Sequence, residues 1–142
     1  MQFSDSVLLV ITVPKTHTDL VRKALGSAGA GKIGNYSHCS HSTDGIGRFL
    51  PQEGANPHLG SLETLEEVIE ERIETFCPKH LVDSVLEEVY KAHPYEEPVI
   101  YIYPLYQTPR KNTMTTLNFN HHSTYNLLMS FGNYLSHTTS SL

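Results

Sequence analysis

Val7-Leu8-Leu9-Val10-Ile11-Thr12-Val13 is an unbroken β-rich apolar run closed by Pro14. A strand that is apolar on both faces has to lie in the middle of a sheet, or be covered on both sides. The run therefore predicts a central strand around which the rest of the chain is arranged. After Pro14 the period changes. Thr16-His17-Thr18 can supply an N-cap, Leu20, Val21, Ala24, Leu25 and Ala28 recur at helical spacing, and Gly29 stands where a helix exit favours glycine. From Tyr36 to Leu50 polar and apolar residues alternate around Thr43-Asp44-Gly45, which predicts two strands joined as a hairpin, and Gln52 to Gly60 reads as loop.

A further β segment is expected at Arg72-Ile73-Glu74-Thr75-Phe76, with charged and apolar side chains on opposite faces. Pro78 then opens a second helix with the stripe Leu81, Val82, Val85, Leu86 and Val89, which Pro94 stops. Val99-Ile100-Tyr101-Ile102-Tyr103 is the last strand. The order is βα, a β-hairpin region, then αβ: a ferredoxin-like α+β sandwich, βαββαβ, with both helices on one face of an antiparallel sheet. A sheet this small with one bare face is expected to cover it by self-association.

Composition sets limits on function. Among 142 residues, 39% are apolar and 18% charged, which suits one domain with a real core and leaves no room for a second full one. Fifteen Asp and Glu against ten Lys and Arg give a formal charge of -5, with no basic cluster to neutralise a row of phosphates, so nucleic acid is not an expected ligand. The first apolar run is too short to span a bilayer or act as a signal segment, so a membrane is not an expected partner and the cytoplasm is the expected location. Cys39 and Cys77 are expected as reduced thiols. Every Asp and Glu lies at or before Glu97, and residues 107–142 hold only Arg110 and Lys111 as fixed charges. The domain is therefore bounded at residues 1–106. In the polar tail, 107–142, Leu127, Leu128, Phe131, Tyr134 and Leu135 share one helical face, and a short helix and a disordered tail are equal expectations.

Three groups could carry chemistry. Gly26-Ser27-Ala28-Gly29-Ala30-Gly31-Lys32 approaches the spacing of a phosphate-binding loop, but Ile33 takes the Ser/Thr position and the glycines close a helix where the motif needs them to precede one. A glycine-rich helix exit is the stronger reading, with a looser anion-binding loop as the alternative. Cys39 and His41, two apart on an expected strand, could be joined by His93 in a soft-metal site for a divalent ion, although two ligands on one strand count for less than a core cysteine beside surface histidines. His93, Tyr95, Glu96 and Glu97 combine an imidazole with carboxylates, the raw material of acid–base work, yet His93-Pro94 is also a helix stop and Pro98 steers the chain into the last strand. Any pocket is expected where this loop faces the Gly-rich segment and Cys39. Glu66-Glu67-Val68-Ile69-Glu70-Glu71 reads as a solvated charge run without chemistry. No catalytic residue is assigned.

Gly29-Ala30-Gly31-Lys32-Ile33-Gly34-Asn35-Tyr36, Cys39-Ser40, Glu53-Gly54-Ala55-Asn56-Pro57, Arg72-Ile73-Glu74-Thr75 and His93-Pro94-Tyr95-Glu96-Glu97-Pro98 occur in this order, and over residues 7–106 the sequence resembles the YqfO-type domain of the NGG-interacting-factor-three family. That domain occurs inserted in longer members and as a standalone protein. His93-Pro94-Tyr95-Glu96 also resembles a segment of CutA proteins. His41 departs from the pattern, which leads to an aromatic residue there.

The resemblance implies a PII/CutA-like fold, a homotrimer, and ligand sites in the clefts between subunits, for which Lys32, Asn35, Tyr36, His93, Tyr95 and Glu96 are the candidates. Longer members embed the domain in a larger one with a dinuclear metal site, and take a hydrolase-like or GTP-cyclohydrolase-type name from it. This sequence offers no cluster of His, Asp and Glu able to hold two metals. The expected function is a trimeric binding or regulatory module for a small ligand or divalent metal. A metal-dependent hydrolase and a structural module docking on a separate partner protein are the alternatives.

Overall fold

The computed structural model describes residues 1–108, so the tail expectations around Leu127 to Leu135 lie outside the described residues. Met1–Tyr106 forms one compact unit. Its elements are β1 (Phe3–Pro14), α1 (Thr18–Ser27), β2 (His41–Phe49), β3 (Glu66–Pro78), α2 (Val82–Ala92) and β4 (Ile100–Tyr106), with 3₁₀ turns at Lys15–His17 and Lys79–Leu81 leading into the helices. The strands form one antiparallel sheet in the order β2-β3-β1-β4, the ferredoxin-like arrangement. Among the described residues no helix is long and apolar enough to cross a membrane.

β1 is the central strand its composition predicts. Val7, Leu9, Ile11 and Val13 point to the helix side and join Val21 and Leu25 of α1, Val85 and Val89 of α2, and Ile73 and Cys77 of β3 in the core. Alternation places Leu8, Val10 and Thr12 on the other side, where Val10 is fully buried between its cross-strand neighbours Glu74 and Tyr101 although no helix among the described residues covers that face. The helix stripes are as expected except at Leu20, which faces solvent. Burial of the Cys77 thiol in the core pushes its pKa up.

Several local expectations are corrected. Thr43-Asp44-Gly45 is no turn: it lies inside β2, where Thr43 pairs with Arg72, Asp44 with Glu71 and Gly45 with Glu70. The alternating stretch is one strand whose partner is β3, reached through the 50–65 loop, and Asp44 is used as an acceptor for Lys15. The acidic run at Glu66 is no solvated edge either. It is the first half of β3, and alternation sends its two buried carboxylates to opposite faces, Glu71 to the helix side and Glu70 to the bare side. Glu71 is held by Arg22 at 2.6 Å and Lys15 at 3.5 Å. Pro78 ends β3, and a 3₁₀ turn separates it from α2. No side-chain cap closes the start of α1: His17 stands at the N-cap, and Thr18, inside the first turn, donates its Oγ1 hydrogen back to the Pro14 carbonyl at 3.5 Å.

The Gly-rich segment is fastened to β3. Gly29 leaves α1 with φ +105°, Gly31 N–H donates to the Phe76 carbonyl at 2.7 Å, Cys39 N–H donates to the Gly31 carbonyl at 2.9 Å, and Thr75 Oγ1 donates to the Cys39 carbonyl at 2.7 Å. Gly31 has φ +67°, and a methyl group there would fall 2.7 Å from Cys39 N and closer still to its carbonyl, whereas Gly34, φ +55°, faces open space. Gly31→Ala is expected to lower unfolding free energy by about 2 to 4 kcal/mol and Gly34→Ala by about 1 kcal/mol. Equal losses in chemical denaturation would contradict this packing.

Candidate functional site

α2 ends because Pro94 cannot continue it. His93 N–H makes the last helical bond to Val89 at 2.8 Å, and the backbone then turns extended at φ -81°, ψ 132°. The His93 ring reaches across to the end of β1, with Nε2 2.8 Å from the Thr12 carbonyl. Its Nδ1 accepts from the backbone N–H of Tyr95 at 3.1 Å. A ring that accepts at Nδ1 must carry its proton on Nε2, so these two bonds select one neutral tautomer. Burial agrees: it holds the His93 pKa below the ordinary value, assisted by the nearby His17 and His58 and opposed by the Thr12 carbonyl and Glu70.

Fixed at its backbone by His93, Tyr95 turns its phenol to the bare face of the sheet and donates to Glu70 Oε1 at 2.9 Å. Burial, then the bond to Glu70 and its charge, raise the Tyr95 pKa far above the usual phenol range. Glu70 has room there because Gly47 faces it from β2: a Cβ on Gly47 would strike the Glu70 carboxylate. Around Tyr95 stand Phe49, with ring centroids 5.9 Å apart, and His58 at 6.4 Å, and His58 meets His17 edge-on at 5.3 Å. Asn56 N–H donates to Glu96 Oε2 at 3.0 Å, which ties the 50–65 loop to the turn after α2.

These parts enclose a cleft of about 430 Å³. Ile46, Phe49, Leu50, Pro51 and Val99 give it apolar walls, and Glu70, Glu96, Glu97, Arg48 and His58 contribute polar groups. Arg48 is already bonded to Glu67 at 2.8 Å.

Tyr95 and Glu96, of the residues expected at a ligand site, line this cleft, and His93 fixes Tyr95 from behind. Lys32, Asn35 and Tyr36 do not line it. They sit on an exposed two-residue hairpin closed by paired 2.9 Å bonds between Ile33 and Tyr36, with glycine at its first central position. The cleft also opens elsewhere than expected, against the end of β2 and the 50–65 loop, while the Gly-rich segment packs on β3 and Cys39. Nor are Cys39, His41 and His93 gathered: among the described residues no three His, Cys, Asp or Glu side chains converge as metal ligands. His41 is exposed opposite Glu74, Cys39 is half-buried, and both His93 ring nitrogens are engaged. Phe49, His58 and Glu70 went unforeseen. Only the alternation within the acidic run could have set Glu70 apart.

The chain matches no protein-family model. It is 46% identical over 121 residues to the GTP cyclohydrolase 1 type 2 homolog of Bacillus subtilis, covering 78% of this chain and 32% of that protein. To the homolog of Halalkalibacterium halodurans it is 52% identical over 97 residues, 68% of this chain and 26% of the relative. The chain thus spans about a third or less of these curated relatives. Among solved structures, the Bacillus cereus protein related to NIF3 superposes with a TM-score of 0.63 at 48% identity, covering 74% of this chain and 27% of that one. CutA from Archaeoglobus fulgidus gives a TM-score of 0.55 at 18% identity, over 75% of this chain and 89% of that one, a likeness of fold alone. The chain is related to one segment of the NIF3-type proteins, and that segment has the PII/CutA-like fold.

Two outcomes test the site. Tyr95→Phe leaves the buried Glu70 carboxylate without its phenol donor and is expected to cost about 1 to 3 kcal/mol in unfolding free energy. Because His93 is neutral when folded but binds a proton near pH 6.5 when unfolded, its contribution is complete above about pH 6.5 and is lost as pH falls below that value towards the depressed folded pKa. Stability measured from pH 8 to 5 should therefore fall on the acid side, less steeply in His93→Gln; identical slopes would refute the neutral clamp.

Proposed function

We propose that this chain, kin to one segment of the NIF3-type proteins, is a cytoplasmic, homotrimeric binding module that responds to a small ligand and carries no catalytic centre of its own. The observation behind the reading is the cleft beside Tyr95. It is concave, largely apolar and held in shape by polar bonds on several elements, as ligand sites are, and four of the acid–base groups in or behind it are tied down: His93 to Thr12 and Tyr95, Tyr95 to Glu70, Glu96 to the Asn56 amide. Groups so engaged shape a site and hold no proton in readiness for transfer.

Self-association is supported by what the helices leave uncovered. Tyr101 and Tyr103 of β4 lie on the bare face, each about half exposed, and Phe3 stacks on Tyr106 at the end of that edge with both rings accessible. A sheet with this much apolar surface on one face and edge gains by burying it against copies of itself. Three copies is the number that the NIF3 and CutA resemblance supports.

The hydrolase reading requires metal-holding residues that do not converge within residues 1–108. A divalent cation, suggested by the CutA name "divalent cation tolerance protein", would meet the carboxylates of Glu96 and Glu97 and a Glu70 carboxylate already bonded to Tyr95, beside apolar walls that fit an organic ligand better.

Sedimentation of the full chain is expected to give three times 15.9 kDa. Tyr101→Lys with Tyr103→Lys should shift it to monomer with the domain still folded by circular dichroism. A wild-type protein that stays monomeric at all concentrations would remove the trimer.

A further inference from the structure

The cleft beside Tyr95 restricts the kind of molecule it can hold. Three rings line it, Phe49, Tyr95 and His58, and Tyr95 is inclined to Phe49 by 61° and to His58 by 52°, so neither ring is stacked flat on Tyr95. A ring face carries the negative end of the aromatic quadrupole and attracts a cation lying over it. The Tyr95 phenol strengthens this, since donating its hydrogen to Glu70 leaves more electron density on the oxygen and ring.

The charges agree. Glu70, Glu96 and Glu97 line the cleft, and Arg48, the one Lys or Arg side chain among its lining residues, is bonded to Glu67. Glu70 spends Oε1 on Tyr95, and Glu96 spends Oε2 on the Asn56 amide. Glu97 stands at the exposed rim. A phosphate or carboxylate ligand would enter against this field, and a bare metal ion would gain nothing from Ile46, Leu50 and Val99. Apolar walls, ring faces and an acidic rim together suit an organic cation with a hydrocarbon body.

Resting on the proposed ligand-binding role, we infer that the ligand of this cleft is an alkylammonium cation, its charge over the Phe49 and Tyr95 rings and beside Glu96 and Glu97, its hydrocarbon against Ile46, Leu50 and Val99. The probe is choline, compared with its neutral isostere in which carbon replaces the ammonium nitrogen, and with ATP as an anion. Each is titrated into the full chain and followed by amide NMR.

Choline is expected to shift resonances of residues 46–58 and 95–99 saturably, with the neutral isostere about fivefold weaker or more. Glu97→Gln, on an exposed side chain at the rim that makes no bond holding the cleft in shape, should weaken choline, leave the isostere unchanged and leave the melting curve intact. Equal binding of choline and the isostere, or binding of ATP in place of choline, would overturn the cation inference while the ligand-site reading stood. If none of the three moved the cleft resonances, because the cleft is closed or a neighbouring copy fills it, the ligand-site reading would fall and this inference with it.

Discussion

The imidazole of His93 joins the turn after α2 to the end of the central strand, 81 residues earlier in the sequence. One nitrogen bonds the end of the central strand at Thr12, the other bonds the Tyr95 backbone, and the ring is buried and uncharged between them. The turn after α2 would otherwise be a short exposed connection free to take many shapes. With this clamp, Tyr95 has one place to go, its phenol meets Glu70, and Glu96 is in position to receive the Asn56 amide. A buried neutral histidine costs little when both nitrogens are satisfied, and much when one is not. The shape of the cleft therefore depends on a single tautomer.

The asymmetry of the sheet explains why the cleft lies where it does. Both helices pack on the side of β1 that carries Leu9, Ile11 and Val13, so the core is closed there and offers no opening. On the other side, among the described residues, the sheet is covered by the turn carrying Tyr95 and the loop carrying His58. The two buried glutamates divide accordingly. Glu71, on the helix side, is paired with Lys15 and Arg22 and fastens α1 to the sheet, whereas Glu70, on the bare side, accepts from a phenol at the cleft. Neighbours in sequence, they serve stability and recognition separately because a strand sends successive side chains to opposite faces.

Much of the fold was legible from the chain. The run from Val7 to Val13, the two helical stripes and the proline stops lead to the βαββαβ order and to the central place of β1, and the ordered motifs from Gly29 to Pro98 lead to the PII/CutA-like class. The errors arose where local pattern competed with tertiary pairing. Thr43-Asp44-Gly45 has turn residues but pairs with β3 through a partner more than twenty residues away, and the acidic run looks solvated because its charges are compensated by residues remote in sequence, Lys15, Arg22 and Tyr95. At the site, Tyr95 and Glu96 could be found from the His-Pro-Tyr-Glu segment. Phe49 and His58 could not, since no periodicity in the 50–65 loop indicates what its end will touch. Lys32, Asn35 and Tyr36 share a neighbourhood in the motif but stand on a hairpin outside the cleft.

The tautomer of His93 tests the clamp most directly, and long-range proton–nitrogen NMR of the imidazole reads it in solution. The expected result is a neutral ring with the proton on Nε2 and a bare Nδ1, unchanged through neutral pH and titrating only below the range of a free histidine. A proton on Nδ1, or a charged ring at neutral pH, would mean that His93 does not accept from Tyr95, and the cleft would have to be held together by something else.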